Sequence, residues 1–159
     1  MKLLFKQKFF SWLDSYNIYD DNENIVYKVK GEISLGHQLR IYDKDNKELG
    51  LVKEKNLKMH PEFALYKEDK EIGVISQEFT VAKPKYTLSF NNWTVEGDIF
   101  EWNYKVVDVE NNIIMKAQKV YGMTDTYEID VKEKKNALYA VMIMLAIDAE
   151  KDTNNSFTS

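Results

Sequence analysis

The sequence contains no cysteine. Disulfides, thiolate metal sites and cysteine nucleophiles are therefore excluded. Arginine occurs once, at Arg40, so bidentate readout of phosphate or guanine has almost no supply. The net charge of −4 argues in the same direction, because nucleic-acid binding depends on neutralising phosphates. With six glycines and two prolines, there is no phosphate-cradling loop and no dinucleotide fingerprint. Long apolar runs are also scarce. The one prominent run, Ala137–Ile147, has eleven residues, whereas a helix crossing a bilayer needs roughly 20. The first ten residues are interrupted by Lys6 and Lys8, and no small-residue cleavage site follows them. These absences predict a soluble, cytoplasmic protein that is not transmembrane, has no nucleic-acid partner and needs no cofactor.

What the chain does have is aromatic residues and a repeat. Ten tyrosines and eight phenylalanines favour β structure. An aromatic or Leu, any residue, then an aliphatic recurs at Tyr16/Ile18, Leu39/Ile41, Phe63/Leu65, Tyr86/Leu88, Tyr104/Val106 and Tyr127/Ile129, in steps of 23, 24, 23, 18 and 23 residues. That alternation is the period of a half-buried strand. Most copies run into a polar segment rich in Asp and Asn, as at residues 19–24, 42–46, 66–70 and 107–112. Such residues tolerate left-handed backbone and cap their own turns, so each segment predicts a hairpin. Partner strands are expected at 25–30, 48–53, 71–77, 93–97 and 113–119. A further strand at Lys2–Phe9 brings the total to about twelve.

The run at 137–147 is apolar on every face, so a helix there must be enclosed on every face. Twelve strands closed into a sheet leave a lumen too wide for their own side chains to fill. The helix supplies the filling, with Leu138, Val141, Met142, Leu145 and Ile147 as its core residues and Asn136 as its N-cap. Thirteen helical residues span about 20 Å, near the height of a barrel of six-residue strands. The predicted fold is mainly β: a closed twelve-stranded antiparallel β-barrel around one hydrophobic C-terminal α-helix. It forms a single domain over 1–150, with the helix at about 136–149 and a disordered polar tail at 151–159.

Several segments resemble the LURP-one-related family, which includes bacterial YxjI-type proteins. They are residues 6–12, Lys83-Pro84-Lys85-Tyr86, Trp93-Thr94-Val95-Glu96-Gly97-Asp98, residues 125–129 and the closing Leu145-Ala146-Ile147-Asp148. The resemblance covers about residues 1–150. It implies a tubby-like fold, the same barrel around the same helix, and relatives that bind membrane phosphoinositides or handle phospholipids. No segment matches the phosphoinositide-binding motif of tubby, so no lipid-contacting residue is carried over.

Candidate chemistry is sparse. His37 and His60 lie 23 residues apart, in step with the repeat, but two polar residues at strand ends are expected without a metal, and none is predicted. Glu96, Asp98 and Glu101 cluster in sequence, as acid–base carboxylates can, but Glu96 and Asp98 would share a strand face, expected to be the solvated outer one, and the cluster is read as surface charge. Asp148, at the predicted helix end, is read as a structural plug paired with a lysine or backbone donors at the barrel mouth. Lysines gather at Lys53, Lys55 and Lys58, at Lys83 and Lys85, and at Lys132, Lys134 and Lys135. Brought to one rim, Lys53, Lys55, Lys58, Lys83, Lys85, Lys132 and Lys135 would form a patch for anionic phospholipid headgroups. Phe9, Phe10, Trp12 and Leu13 would offer an apolar anchor beside it. The expected function is a non-enzymatic binding or scaffold protein that docks to anionic membrane lipid or to a protein partner. The alternatives are scramblase-like phospholipid handling and an enzyme using carboxylates at the barrel rim.

Overall fold

The computed structural model of the chain describes residues 1–6, 15–34, 36–55, 62–78, 85–123 and 125–157. Among these residues the strands are β1 (Lys2–Lys6), β2 (Ser15–Tyr19), β3 (Ile25–Ser34), β4 (Gly36–Asp43), β5 (Glu48–Lys55), β6 (Glu62–Lys67), β7 (Lys70–Glu78), β8 (Lys85–Leu88), β9 (Thr94–Asp98), β10 (Asn103–Val107), β11 (Ile113–Lys119) and β12 (Thr126–Val131). Each pairs antiparallel with its sequence neighbours, and β1 closes on β12, giving the expected twelve-stranded barrel. The seam pairs Lys2 with Asp130 through to Lys6 with Thr126. The terminal ammonium of Met1 extends it by donating to the Val131 carbonyl at 2.7 Å. Among the described strands, closure leaves none without a partner on each side.

The sequence repeat has a structural cause. Asp20, Asp43 and Asp108 each open a hairpin turn. In each turn one carboxylate oxygen accepts the amides two and four residues ahead, at 2.8–2.9 Å. The residue three ahead takes left-handed backbone: Glu23 at φ 63°, Asn46 at 67° and Asn111 at 63°. A bulge then shifts the register between Ile18 and Tyr19, Ile41 and Tyr42, and Val106 and Val107. This is the turn-plus-bulge hairpin that Asp and Asn favour.

The meander sorts its connections between two ends. The Asp turns, Met1 and the segment leading into the helix share one end, called here the turn end. The opposite end, the loop end, carries the β9–β10 and β11–β12 connections. The helix α1 (Ala137–Phe157) enters from the turn end behind a 3₁₀ turn at Lys134–Asn136 and runs through the lumen. Every residue from Ala140 to Ile147 is at most 1% exposed. Val141, Met142, Leu145 and Ile147 are core residues as predicted, while Leu138 is half-buried and packs against the core. Asn136 stands immediately before α1, but it closes the 3₁₀ turn, its amide donating to the Glu133 carbonyl at 2.9 Å.

Two differences from the sequence reading matter. The helix continues to Phe157, through residues expected to form a disordered tail. A helix already nucleated and enclosed extends at little cost through Glu, Lys and Asp. Consequently Asp148 lies within the helix and not at its end.

Both ends are stoppered by aromatic residues. At the turn end, Phe90, Trp93 and Tyr139 pack with ring centroids 5.7–6.2 Å apart. At the loop end, Trp102 stacks on Tyr127 at 4.2 Å and Phe5 packs against Tyr16 at 5.1 Å. The Trp-x-Val-x-Gly-Asp segment now has a physical reading. Trp93 packs against α1 through Tyr139, and Val95 is core. Gly97 adopts φ 121°, where an added Cβ would lie 2.6 Å from the Asn103 carbonyl oxygen. Asp98 accepts the Glu101 amide at 3.2 Å to set the next turn.

Candidate functional site

The loop end holds the polar chemistry. Its lumen is lined by residues on the inward faces of the strands and by the last enclosed turn of α1. Asp148 and Glu150 project from α1 and are 9% and 1% exposed. Tyr16 and Tyr104 lie within the field of Asp148, and the Tyr86 hydroxyl donates to the Glu150 carboxylate. Burial pushes all three hydroxyls well above the ordinary tyrosine range. The Asp148 charge pushes Tyr16 and Tyr104 further, and Glu150 does the same for Tyr86. Nearby, His37 Nδ1 and Glu54 Oε2 are 2.7 Å apart. They sit on the same strand faces as the core residues Leu39 and Val52. Carboxylates, phenols and an imidazole are the components of acid–base chemistry. Here Asp148 and Glu150 are enclosed by packed side chains, which a substrate would have to displace, whereas His37 and Glu54 are only partly buried and already engaged with each other.

The rim above the lumen differs in character. Because Asn103 pairs with Gln118, the β9–β10 turn and the β11–β12 loop stand side by side. Between them is a groove of about 920 Å³ lined by Asp98, Glu101, Trp102, Tyr121, Met123 and Asp125, among others. Tyr121 is 96% exposed, Phe100 63% and Met123 48%. Large apolar side chains held in solvent at one place mark interaction surfaces.

Among the described residues the predicted lysines are divided between the two ends of the barrel. Lys53 and Lys55 lie on the outer face of β5 toward the loop end, and Lys85 opens β8 at that end. Lys132 and Lys135 are at the turn end, the full height of the barrel away. Lys55 pairs with Glu71 at 3.2 Å, Lys132 with Asp130 at 2.9 Å and Lys135 with Glu133 at 2.8 Å. Lys58, Lys83, His60 and residues 9–13 lie outside the described residues. His37 is engaged with Glu54, and among the described residues no group of three or more His, Asp or Glu is placed to hold a metal ion. Glu96 is on the outer wall, 3.2 Å from Lys105, as expected. Asp98 and Glu101 instead border the groove.

Sequence reasoning missed Glu150, the tyrosines facing α1, and the groove. The first had a readable signal: a helix enclosed on every face through Ile147 carries its next turn into the same enclosure. The groove had a weaker one, in Val120-Tyr121-Gly122-Met123, where large apolar residues occupy a glycine-bearing turn.

Among the described residues, no helix is long and apolar enough to cross a membrane. Comparison with known proteins fits this architecture. The chain is 28% identical over 149 residues to the uncharacterized protein YxjI of Bacillus subtilis, covering 93% of this chain and 92% of that one. An X-ray structure of a protein from Arabidopsis thaliana shares the fold, with a TM-score of 0.66 at 14% identity, over 93% of this chain and 90% of that one. The model of the LURP-one-related family matches residues 1–148, and the chain belongs to that family.

Proposed function

We propose that the protein is a non-enzymatic docking module that holds a protein partner at the loop end of its barrel. The observation that carries this reading is the division of labour in the fold. The lumen is occupied by α1, whose residues from Ala140 to Ile147 are at most 1% exposed, while Phe100, Tyr121 and Met123 are presented together on the loop-end rim. A filled core supports a scaffold role. An apolar rim supports a role in association.

Docking to anionic lipid through lysines has weaker support. Lys55, Lys132 and Lys135 are already paired with carboxylates, and the lysines are divided between the two ends. A cytoplasmic setting, free or peripheral at a membrane, accords with this reading. The test places a photoreactive benzophenone residue in turn at Tyr121 on the rim, Tyr42 on the wall and Val109 at the turn end, in cells that make the protein. A recurrent protein adduct from the Tyr121 position is the expected result. The absence of adducts from all three positions would overturn the reading.

A further inference from the structure

The groove between the β9–β10 turn and the β11–β12 loop has a defined chemical character. Its floor is Trp102, only 8% exposed, held by stacking on Tyr127 at 4.2 Å and by Phe5 at 6.2 Å. Four residues of the two hairpins adopt positive φ: Gly97 at 121°, Trp102 at 54°, Gly122 at 81° and Asp125 at 49°. Left-handed backbone is uncommon for a residue as bulky as Trp. Such backbone persists only where its surroundings over-determine it, and here the stacking on Tyr127 and Phe5 supplies that constraint. The groove is therefore preformed, which lowers the ordering cost of binding.

Its charge has one dominant sign. Asp98, Glu101 and Asp125 face it, against the single cation Lys119. Among the described residues none of these four charges is engaged in an ion pair. Asp98 is additionally fixed in orientation by accepting the Glu101 amide. Exposed Tyr121 and Met123 stand beside these carboxylates. An anionic headgroup would be repelled here, whereas a cationic chain with an apolar side chain would find both complements.

Building on the docking reading above, we infer that this groove receives an extended basic segment of the partner protein. One aromatic or aliphatic side chain of that segment seats on Trp102 between Tyr121 and Met123. Its flanking Lys or Arg residues face Asp98, Glu101 and Asp125. Charge complementarity of this kind sets orientation and association rate, and the aromatic anchor supplies affinity.

The test uses the full chain, isotope-labelled for NMR, with the synthetic peptide Lys-Leu-Lys-Trp-Lys-Leu-Lys and a control in which every Lys is Glu. The expected result is a set of salt-sensitive amide shifts confined to residues 98–103 and 118–125, given by the basic peptide alone. Glu101→Lys and Tyr121→Ser, both on exposed side chains, should each weaken binding about tenfold, the loss expected of one good contact. Unchanged thermal melting of each variant separates this from misfolding. Shifts elsewhere, equal binding of the acidic control, or no shift at millimolar peptide would overturn the inference. So would binding to phosphatidylglycerol vesicles that is lost in Tyr121→Ser. If the Tyr121 position still captures a partner in cells while the peptide shifts nothing in the groove, the docking reading survives and the basic-segment inference falls.

Discussion

Gly50 on β5 and Met142 on α1 occupy complementary space. A Cβ built on Gly50 would overlap Met142 Cε and lie 2.9 Å from the Tyr66 carbonyl oxygen. The absence of a side chain on the barrel wall is what lets the helix side chain reach it.

Adding atoms there should therefore act through the helix. Gly50→Ala is expected to destabilise by about 1–3 kcal/mol, the usual cost of overpacking. Met142→Ala alone should cost about 2–5 kcal/mol through the cavity it leaves. The double variant should be more stable than the sum of the two losses, because each change relieves the other. Urea denaturation of the four proteins checks this, and strict additivity would show that the two residues do not share the space.

The enclosed tyrosines predict a steep alkaline limit. Tyr16, Tyr86 and Tyr104 have hydroxyls raised by burial and by the neighbouring carboxylates. The unfolded chain ionises them near pH 10, and the folded chain holds their protons. Stability is thus unaffected below about pH 10 and falls above it, by about 1.4 kcal/mol per pH unit for each tyrosine. Tyr104→Phe should remove one such increment from the slope. The phenolate absorbance owed to these three buried tyrosines should rise together with unfolding. Reversible ionisation of all ten tyrosines with native structure intact would contradict the arrangement.

At acid pH the hairpin turns should give way first. Asp20 and Asp108 lie below the usual carboxylate range, chiefly because the side-chain amides of Asn24 and Asn112 donate to them. A depressed carboxylate contributes stability above its unfolded pKa, about 3.9, and loses it as pH falls through the folded value. Asn24→Ala and Asn112→Ala should each move the acid unfolding midpoint to higher pH; the same loss persists at alkaline pH, so the alkaline limit should fall while its slope per pH unit is unchanged. Circular dichroism across both pH ranges distinguishes the two effects.

Removing the helix should remove the fold. Seven large aliphatic side chains lie between Leu138 and Ile147, and their burial at about 1.5–3 kcal/mol each contributes roughly 10–20 kcal/mol as an upper estimate. Domains of this size retain only about 5–15 kcal/mol in total. A chain ending before Asn136 should show no cooperative thermal transition in calorimetry.

The barrel and its helix were legible in the sequence because both rest on periodicity. The step of about 23 residues is one strand pair with its turns, three of which, at Asp20, Asp43 and Asp108, repeat the same hydrogen bonds, and an eleven-residue apolar run admits only enclosure. The helix end at Phe157 was not legible, since polar residues beyond Ala149 look the same in a solvated tail and in a helix already started. The groove was hidden for a different reason. Asp98, Trp102, Tyr121 and Asp125 come from two connections that only the pairing of β10 with β11 brings together. The placement of the lysines was hidden by topology: Lys55 and Lys135, 80 residues apart in sequence, sit at opposite ends of an antiparallel meander.

In the order of synthesis, α1 comes after all twelve strands, yet it sits inside them. A helix about 10–12 Å across with its side chains does not slip into a finished, close-packed cylinder. The sheet must instead wrap the helix and join β1 to β12 as a late step. During synthesis the strands precede the helix that fills them. Closure therefore depends on α1 being present, and the interval before it is when the strands are most exposed to aggregation.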